Sequence, residues 1–255
     1  MRNLFGAVRK DNLEKSNAGR YLLYALGEIL LVVIGILIAL QIDNMNEERK
    51  ERALEKHYLA NLKVDLNLTI KDLGAYIDNR TLLISIANRV LTYSEGKPVT
   101  NVDSLNAQLC LVYSWRKFNQ SNNTFQELTN SGNLTLISND SIKTMLLNLE
   151  SQYKLVHDEE EHFRFDSEVL LYEPLYRLMD TNPLVDNFAW MMSGGQAGKK
   201  STLSAARYEQ FLKDIKVKNG FVMTKLEFGI MNPMFIKLKA ESEQLVRMID
   251  RELKQ

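Results

Sequence analysis

One acid, Glu28, stands inside the run Tyr21–Ile42, which holds no other charged residue. A carboxyl group in hydrocarbon costs up to about 2.5–3.5 kcal/mol at a span's centre on insertion scales, and less off-centre. It therefore faces protein or water, where it can join two helices or carry ions. Its surroundings favour the first use. Gly27, Leu31, Gly35 and Ala39 follow a four-residue step, Gly35 is also two turns from Glu28, and Tyr24 lies one turn before it, within reach of the carboxyl group. Small residues let helix backbones approach closely, so Gly27, Glu28, Leu31, Gly35 and Ala39 read as a transmembrane interface, with Tyr24 as a partner for Glu28.

Two other stretches invite chemistry and fall short of it. In His157-Asp-Glu-Glu-Glu-His162 the pairs His157/Glu161 and Asp158/His162 are each one helical turn apart. They fall on different parts of the helix circumference, and the spacing is not the His-Glu-x-x-His of zinc hydrolases, so an acidic solvated face is expected and no metal. Ser193-Gly-Gly-Gln-Ala-Gly-Lys-Lys200 approaches the phosphate-loop pattern and fails twice. Ser193 replaces the first glycine, and Lys200 stands where Ser or Thr must hold magnesium. The apolar Phe188-Ala-Trp-Met-Met192 is expected to pack within a loop. With three histidines and the single Cys110, no nucleophile–base set has a spacing that supports catalysis. We expect no catalytic residue, no cofactor and no enzyme activity.

The elements that position these residues follow from length and periodicity. From Leu22 to Ile42 a helix rises about 31 Å, the thickness of a hydrocarbon core of about 30 Å. Excluding Glu28 would leave only about 21 Å before Asp43, Glu47 and Glu48, so the span needs Glu28 within it. Before it, residues 1–20 form a short basic tail. Five Lys or Arg precede the span within twenty residues and four follow within twenty; Arg20 lies at one membrane edge and Asp43 at the other. This places the N-terminus inside and the main domain outside, as in a signal anchor that is not cleaved.

Beyond the span, residues 43–58 read as a charged stalk and 59–255 as a bundle, together one extramembrane domain. Leu59, Leu62, Leu66, Ile70, Leu73, Ile77, Ile84, Ala87 and Leu91 continue a helix to about Tyr93, ended by Gly96 and Pro98. Further helices are expected over 102–118 with Asn101 as cap, and from a capping box at Thr124–Glu127 to Gly132. Leu134–Ile137 reads as an extended connector. A long helix follows from Asn139 or Asp140 to about Pro174 or Asp180, then a loop over 181–200. Helices over 201–218 and 220–253 end the chain, the last split at Asn232-Pro233. The fold class is all-α: one N-terminal transmembrane helix continuing into an extramembrane antiparallel helical bundle.

Arg20–Lys50, which includes Tyr21-Leu-Leu-Tyr-Ala-Leu-Gly-Glu28 and Asp43-Asn-Met-Asn46, resembles the N-terminal signature of an uncharacterised family of single-pass membrane proteins from Bacteroidetes-type bacteria. That family reads Ile, Asn and Trp where this chain has Leu26, Asp43 and Met45. Thr124–Asn139 is similar to a second segment of the same family. The resemblance implies a bacterial membrane protein with a helical extramembrane part and supplies no activity.

With 32 basic and 32 acidic residues there is no overall positive field, and no nucleic-acid partner is expected. The expected partners are the lipid bilayer and, through the transmembrane face, a second copy of the chain or another membrane protein. The protein is expected in the bacterial inner membrane as a scaffold, sensor or accessory subunit. The alternative is an ion-coupled, motor- or transducer-type partner subunit that uses Glu28.

Overall fold

In the computed structural model the described residues are 18–254, with side chains from Tyr21 onward; the basic tail predicted for residues 1–20 lies mostly outside them. Helix α1 runs unbroken over Ala18–Ser94. The chain divides into two units, one up to Lys56 and one from His57. The first contains the apolar run and the charged segment after it. Every side chain from Leu26 to Ile42 is exposed, as expected of a helix that meets lipid rather than a protein core. Among the described residues, one helix is long and apolar enough to cross a membrane.

In the second unit, α1 buries Leu59, Leu62, Leu66, Thr69, Leu73, Arg80, Leu83, Ala87 and Val90. The steps are of three and four residues or their sum, which keeps one narrow seam inward along a long helix. The predicted stripe is partly corrected here: Ile70, Ile77, Ile84 and Leu91 are only half-buried, at the seam's edge. Thr69 and Arg80 occupy inner positions that an apolar reading passes over.

Two more long helices carry matching seams. Helix α4 (Asp140–Ser167) buries Ile142, Leu146, Leu149, Tyr153, Val156, Glu160, Phe163 and Ser167. The last helix, called α8 below (Ile215–Glu252), buries among others Val217, Phe221, Thr224, Phe228, Met231, Phe235 and Leu238. Their direction is read from cross-helix bonds. Asn139 donates to Glu252 at 2.9 Å and Tyr153 meets Ser242 at 3.4 Å, so α4 and α8 are antiparallel. Asn232 donates to Thr81 at 3.0 Å and Lys63 pairs with Asp250, so α8 is antiparallel to α1 as well. No strand occurs among the described residues.

Shorter elements differ from the periodicity reading for identifiable reasons. Helix α2 is Val102–Tyr113, capped by Asn101 as expected, and ends five residues early. Beyond it the backbone serves α1 and α4: the Arg116 carbonyl accepts from Arg80 at 2.7 Å, and the Phe118 N–H donates to Glu160 at 2.9 Å. Helix α3 is Asn123–Asn130, with Thr124 inside it. There is no capping box. Asp65 takes the Thr124 N–H at 2.8 Å, and Glu127 accepts from the Tyr58 hydroxyl at 3.2 Å. Leu134–Ile137 is mostly 3-10 helix (Asn133–Leu136) rather than extended.

Helix α4 passes into a π turn at Glu168–Tyr172 and then α5 (Glu173–Leu178). Pro174 has no N–H to close a bond on the carbonyl four residues back. The extra residue of a π turn shifts the seam, so Leu171 is fully buried and Leu170 is not. Gly220 of α8 fits against this turn; a Cβ there would lie 2.5 Å from Leu171 Cδ2 and 3.1 Å from the Leu170 carbonyl oxygen.

The loop predicted over 181–200 is half helix. Asp180 caps α6 (Thr181–Met192), accepting the Asn182 N–H at 3.0 Å, and overrides Pro183, which a first helical turn tolerates. Helix α7 is only Ala205–Leu212, because Asp214 caps the start of α8 through the N–H groups of Lys216 and Val217. Pro233 does not split α8. It lies on the exposed face, where solvent can take the freed carbonyl.

Candidate ligand-binding site

The residues expected to form a transmembrane interface, Gly27, Glu28, Leu31, Gly35 and Ala39, and the expected Glu28 partner Tyr24 fall within an arc of about 120° on α1 at 3.6 residues per turn. All are exposed, and a Cβ built on Gly27 or Gly35 meets nothing within 4 Å. The geometry keeps the face together and leaves it open.

The acidic run on α4 does not behave as a single solvated face. Glu160 turns into the core and pairs with Arg80 at 3.1 Å, both side chains fully buried. His157 and His162 do not converge on one another's acidic neighbours. His162 instead approaches Glu227 of α8 at 3.5 Å. The glycine-rich turn after α6 folds back on its own helix: Gly195 donates to the Trp190 carbonyl at 2.8 Å and Lys199 to that of Asp186 at 3.1 Å. At Gly198, with φ of 74°, a Cβ would sit 2.0 Å from the Asp186 carbonyl oxygen. The turn is closed against α6 and offers no phosphate cradle.

A site that periodicity did not mark lies between α2, the π turn, α5, α6 and α7. It is a cavity of about 390 Å³, in the range of small-molecule sites. Leu109, Leu175, Leu184, Phe188 and Phe211 supply its apolar wall. The exposed Ser114, Tyr176 and Val185 stand at its rim.

Few polar groups reach this space, and most are already engaged. Asn106 donates to the Leu184 carbonyl and to Asn187 Oδ1, each at 2.9 Å, and accepts from the Tyr208 hydroxyl at 2.9 Å. Asn187 in turn donates to Asp103 at 2.7 Å, and Asp103 also accepts the Ser201 N–H at 2.9 Å. This buried network joins α2, α6 and the segment leading to α7, and so holds the cavity open at one end. The exception is Tyr113, whose hydroxyl is buried with no hydrogen-bond partner. A buried hydroxyl left in that state costs about 1–3 kcal/mol.

Electrostatics suit the cavity to binding. Burial pushes the Cys110 thiol up to about 11, so it is protonated at neutral pH and a poor nucleophile. Burial likewise raises the Tyr113 and Tyr208 phenols, which remain donors. On α2 the cavity face is Asn106, Leu109, Cys110 and Tyr113, an i, i+3, i+4, i+7 set beside the core stripe Leu105, Leu109 and Val112. That second stripe of mixed polarity was the available signal, and a search for purely apolar positions misses it.

A family of unknown function (DUF6090) matches residues 28–204. The chain belongs to this family. The matched range contains Glu28, the Arg80–Glu160 pair and the parts of the cavity on α2, the π turn, α5 and α6, and it ends before Tyr208 and Phe211. No curated protein and no solved structure matches the chain. Membership agrees with the resemblance to an uncharacterised family and brings no activity with it.

Proposed function

We propose that this member of the family is a membrane-anchored binding protein that senses a small apolar molecule. The carrying observation is the cavity of about 390 Å³ walled mainly by apolar side chains of α2, α5, α6 and α7. A ligand with a predominantly apolar body matches that wall. The protonated Cys110 and the absence of a base beside it favour binding over catalysis. In this reading α1 is the anchor in a bacterial inner membrane, with the N-terminus inside and the helical domain outside.

The test is fluorescence titration of the detergent-solubilised protein with 1-aminoanthracene, followed by competition with 2-nonanone. One equivalent of dye should bind saturably and be displaced. Cys110→Phe, which fills the space, should abolish dye binding while circular dichroism stays helical. Absence of saturable binding, or unchanged binding by Cys110→Phe, removes the reading.

The anchor also associates through the face that holds Gly27, Glu28, Leu31, Gly35 and Ala39. In native membranes, and in a Cys110→Ser background, single cysteines at positions 27, 31, 35 and 39 should cross-link efficiently, to a second copy or to another membrane protein. Cysteines at Val33 and Leu37, on the opposite side of the helix, should not. Equal yields on both sides, or monomer throughout, would end the interface assignment.

A further inference from the structure

We infer that His162, Asp166 and Glu227 form a binding site for a divalent transition-metal ion of the zinc class, bridging α4 and α8. One ligand atom from each lies within 4.8 Å of the other two. His162 and Asp166 stand one turn apart on α4 and so project from the same side of that helix. Glu227 comes from α8, which runs antiparallel against it.

Proximity of acidic groups alone would mean little. The second observation is the state of Glu227. Its side chain is 3% exposed, and neither carboxylate oxygen has a hydrogen-bond partner. Among the described residues, the group of opposite potential beside it is the His162 ring, whose Nδ1 is 3.5 Å from Oε1. A buried carboxylate without donors is an expensive arrangement, and buried charges are ordinarily paired or coordinate metals.

The donor set and spacing suit such an ion. Around tetrahedral zinc, with bonds of about 2.0–2.1 Å, neighbouring ligand atoms are separated by roughly 3.3 Å, close to the His162–Glu227 distance. Imidazole with carboxylates is a set used for zinc and its neighbours rather than for magnesium, which keeps an oxygen shell. His162 is 63% exposed, which gives an ion a way in from solvent. Glu159 lies on the same side of α4, one turn before His162, and adds negative charge at Glu227. Water can complete the coordination.

The test is isothermal titration of the full-length, chelator-stripped protein in detergent with Zn²⁺ alone. Wild type should bind one equivalent. Glu227→Gln, which keeps the side chain's shape, and His162→Ala, at an exposed position, should each weaken binding by about 100-fold. His157→Ala should bind as wild type does. Thermal unfolding should move upward with added Zn²⁺ in wild type and not in Glu227→Gln. The site is refuted by the absence of one-equivalent binding, by unchanged affinity in both cluster variants, or by an equal loss in His157→Ala.

Discussion

Arg80→Ala should destabilise the helical domain by about 3–5 kcal/mol, the range found when one partner of a buried ion pair is removed. Arg80 and Glu160 are both fully buried, on α1 and α4. The guanidinium lies 4.2 Å from the Phe228 ring centroid, 5.5 Å from that of Trp115 and 5.7 Å from that of Tyr76, so aromatic faces enclose it. Burial lowers the Arg80 pKa, opposed by Glu160; burial raises that of Glu160, offset by the Phe118 N–H and by Arg80. Neither group is comfortable alone, which is why removing one is worse than removing both.

Arg80→Lys should recover only part of the loss. One guanidinium nitrogen, Nη2, donates to both Glu160 and the Arg116 carbonyl, and an ammonium placed to do so could not also lay a planar face between the rings. The double variant Arg80→Met/Glu160→Gln should lie near wild type, since glutamine still accepts the Phe118 N–H and no charge is left buried. Denaturant unfolding in micelles, followed by Trp115 fluorescence, measures all four proteins. A cost below about 1 kcal/mol for Arg80→Ala would show that the pair does not hold α1 to α4.

The second large effect is a pH dependence set by Glu227. Burial, reinforced by Asp166 and Glu159 and opposed by His162, pushes its pKa up from the ordinary 4.5 to about 7. The folded state therefore holds a proton that the unfolded state has released between those values. Stability is full below the unfolded pKa, falls as pH rises through this window and is level above it. At about 1.36 kcal/mol per pKa unit the penalty at alkaline pH is about 3 kcal/mol. Glu227→Gln removes it. In a metal chelator the variant should gain on wild type by about that amount between pH 4 and pH 8, read from urea midpoints. Glu160, also raised by burial, acts with the same sign in both proteins and cancels in the comparison. Parallel profiles for the two proteins would count against a buried, uncompensated Glu227.

Read from residues alone, the long apolar helix, its continuation to about Tyr93, the all-α class, the cap at Asn101 and a helix start at Asn139 or Asp140 were legible, because each rests on contacts within a few residues. Apolar length and 3.6-residue periodicity are local quantities, and Asn139 caps by accepting from Ser141 and Ile142 just ahead of it. Thr124–Glu127 had the local pattern of a capping box, yet Asp65 and Tyr58 took those groups from a helix about sixty residues away. The end of α2 was displaced for the same reason, since Arg80 and Glu160 claim the Arg116 and Phe118 backbone.

The candidate sites depended still more on tertiary structure. By itself the sequence determined a helix long and apolar enough to cross a membrane, with Glu28 beside its small residues, because apolar length and helical pitch are local quantities. Only the packing of α2, α6 and α7 decided that Tyr113, Asn106 and Tyr208 surround a cavity. Only the antiparallel pairing of α4 with α8 turned Glu160 inward and brought Glu227 to His162, sixty-five residues earlier in the chain. A buried charge costs too much to be placed by local preference. It is held where groups distant in sequence converge on it, and that convergence exists only once the helices are packed.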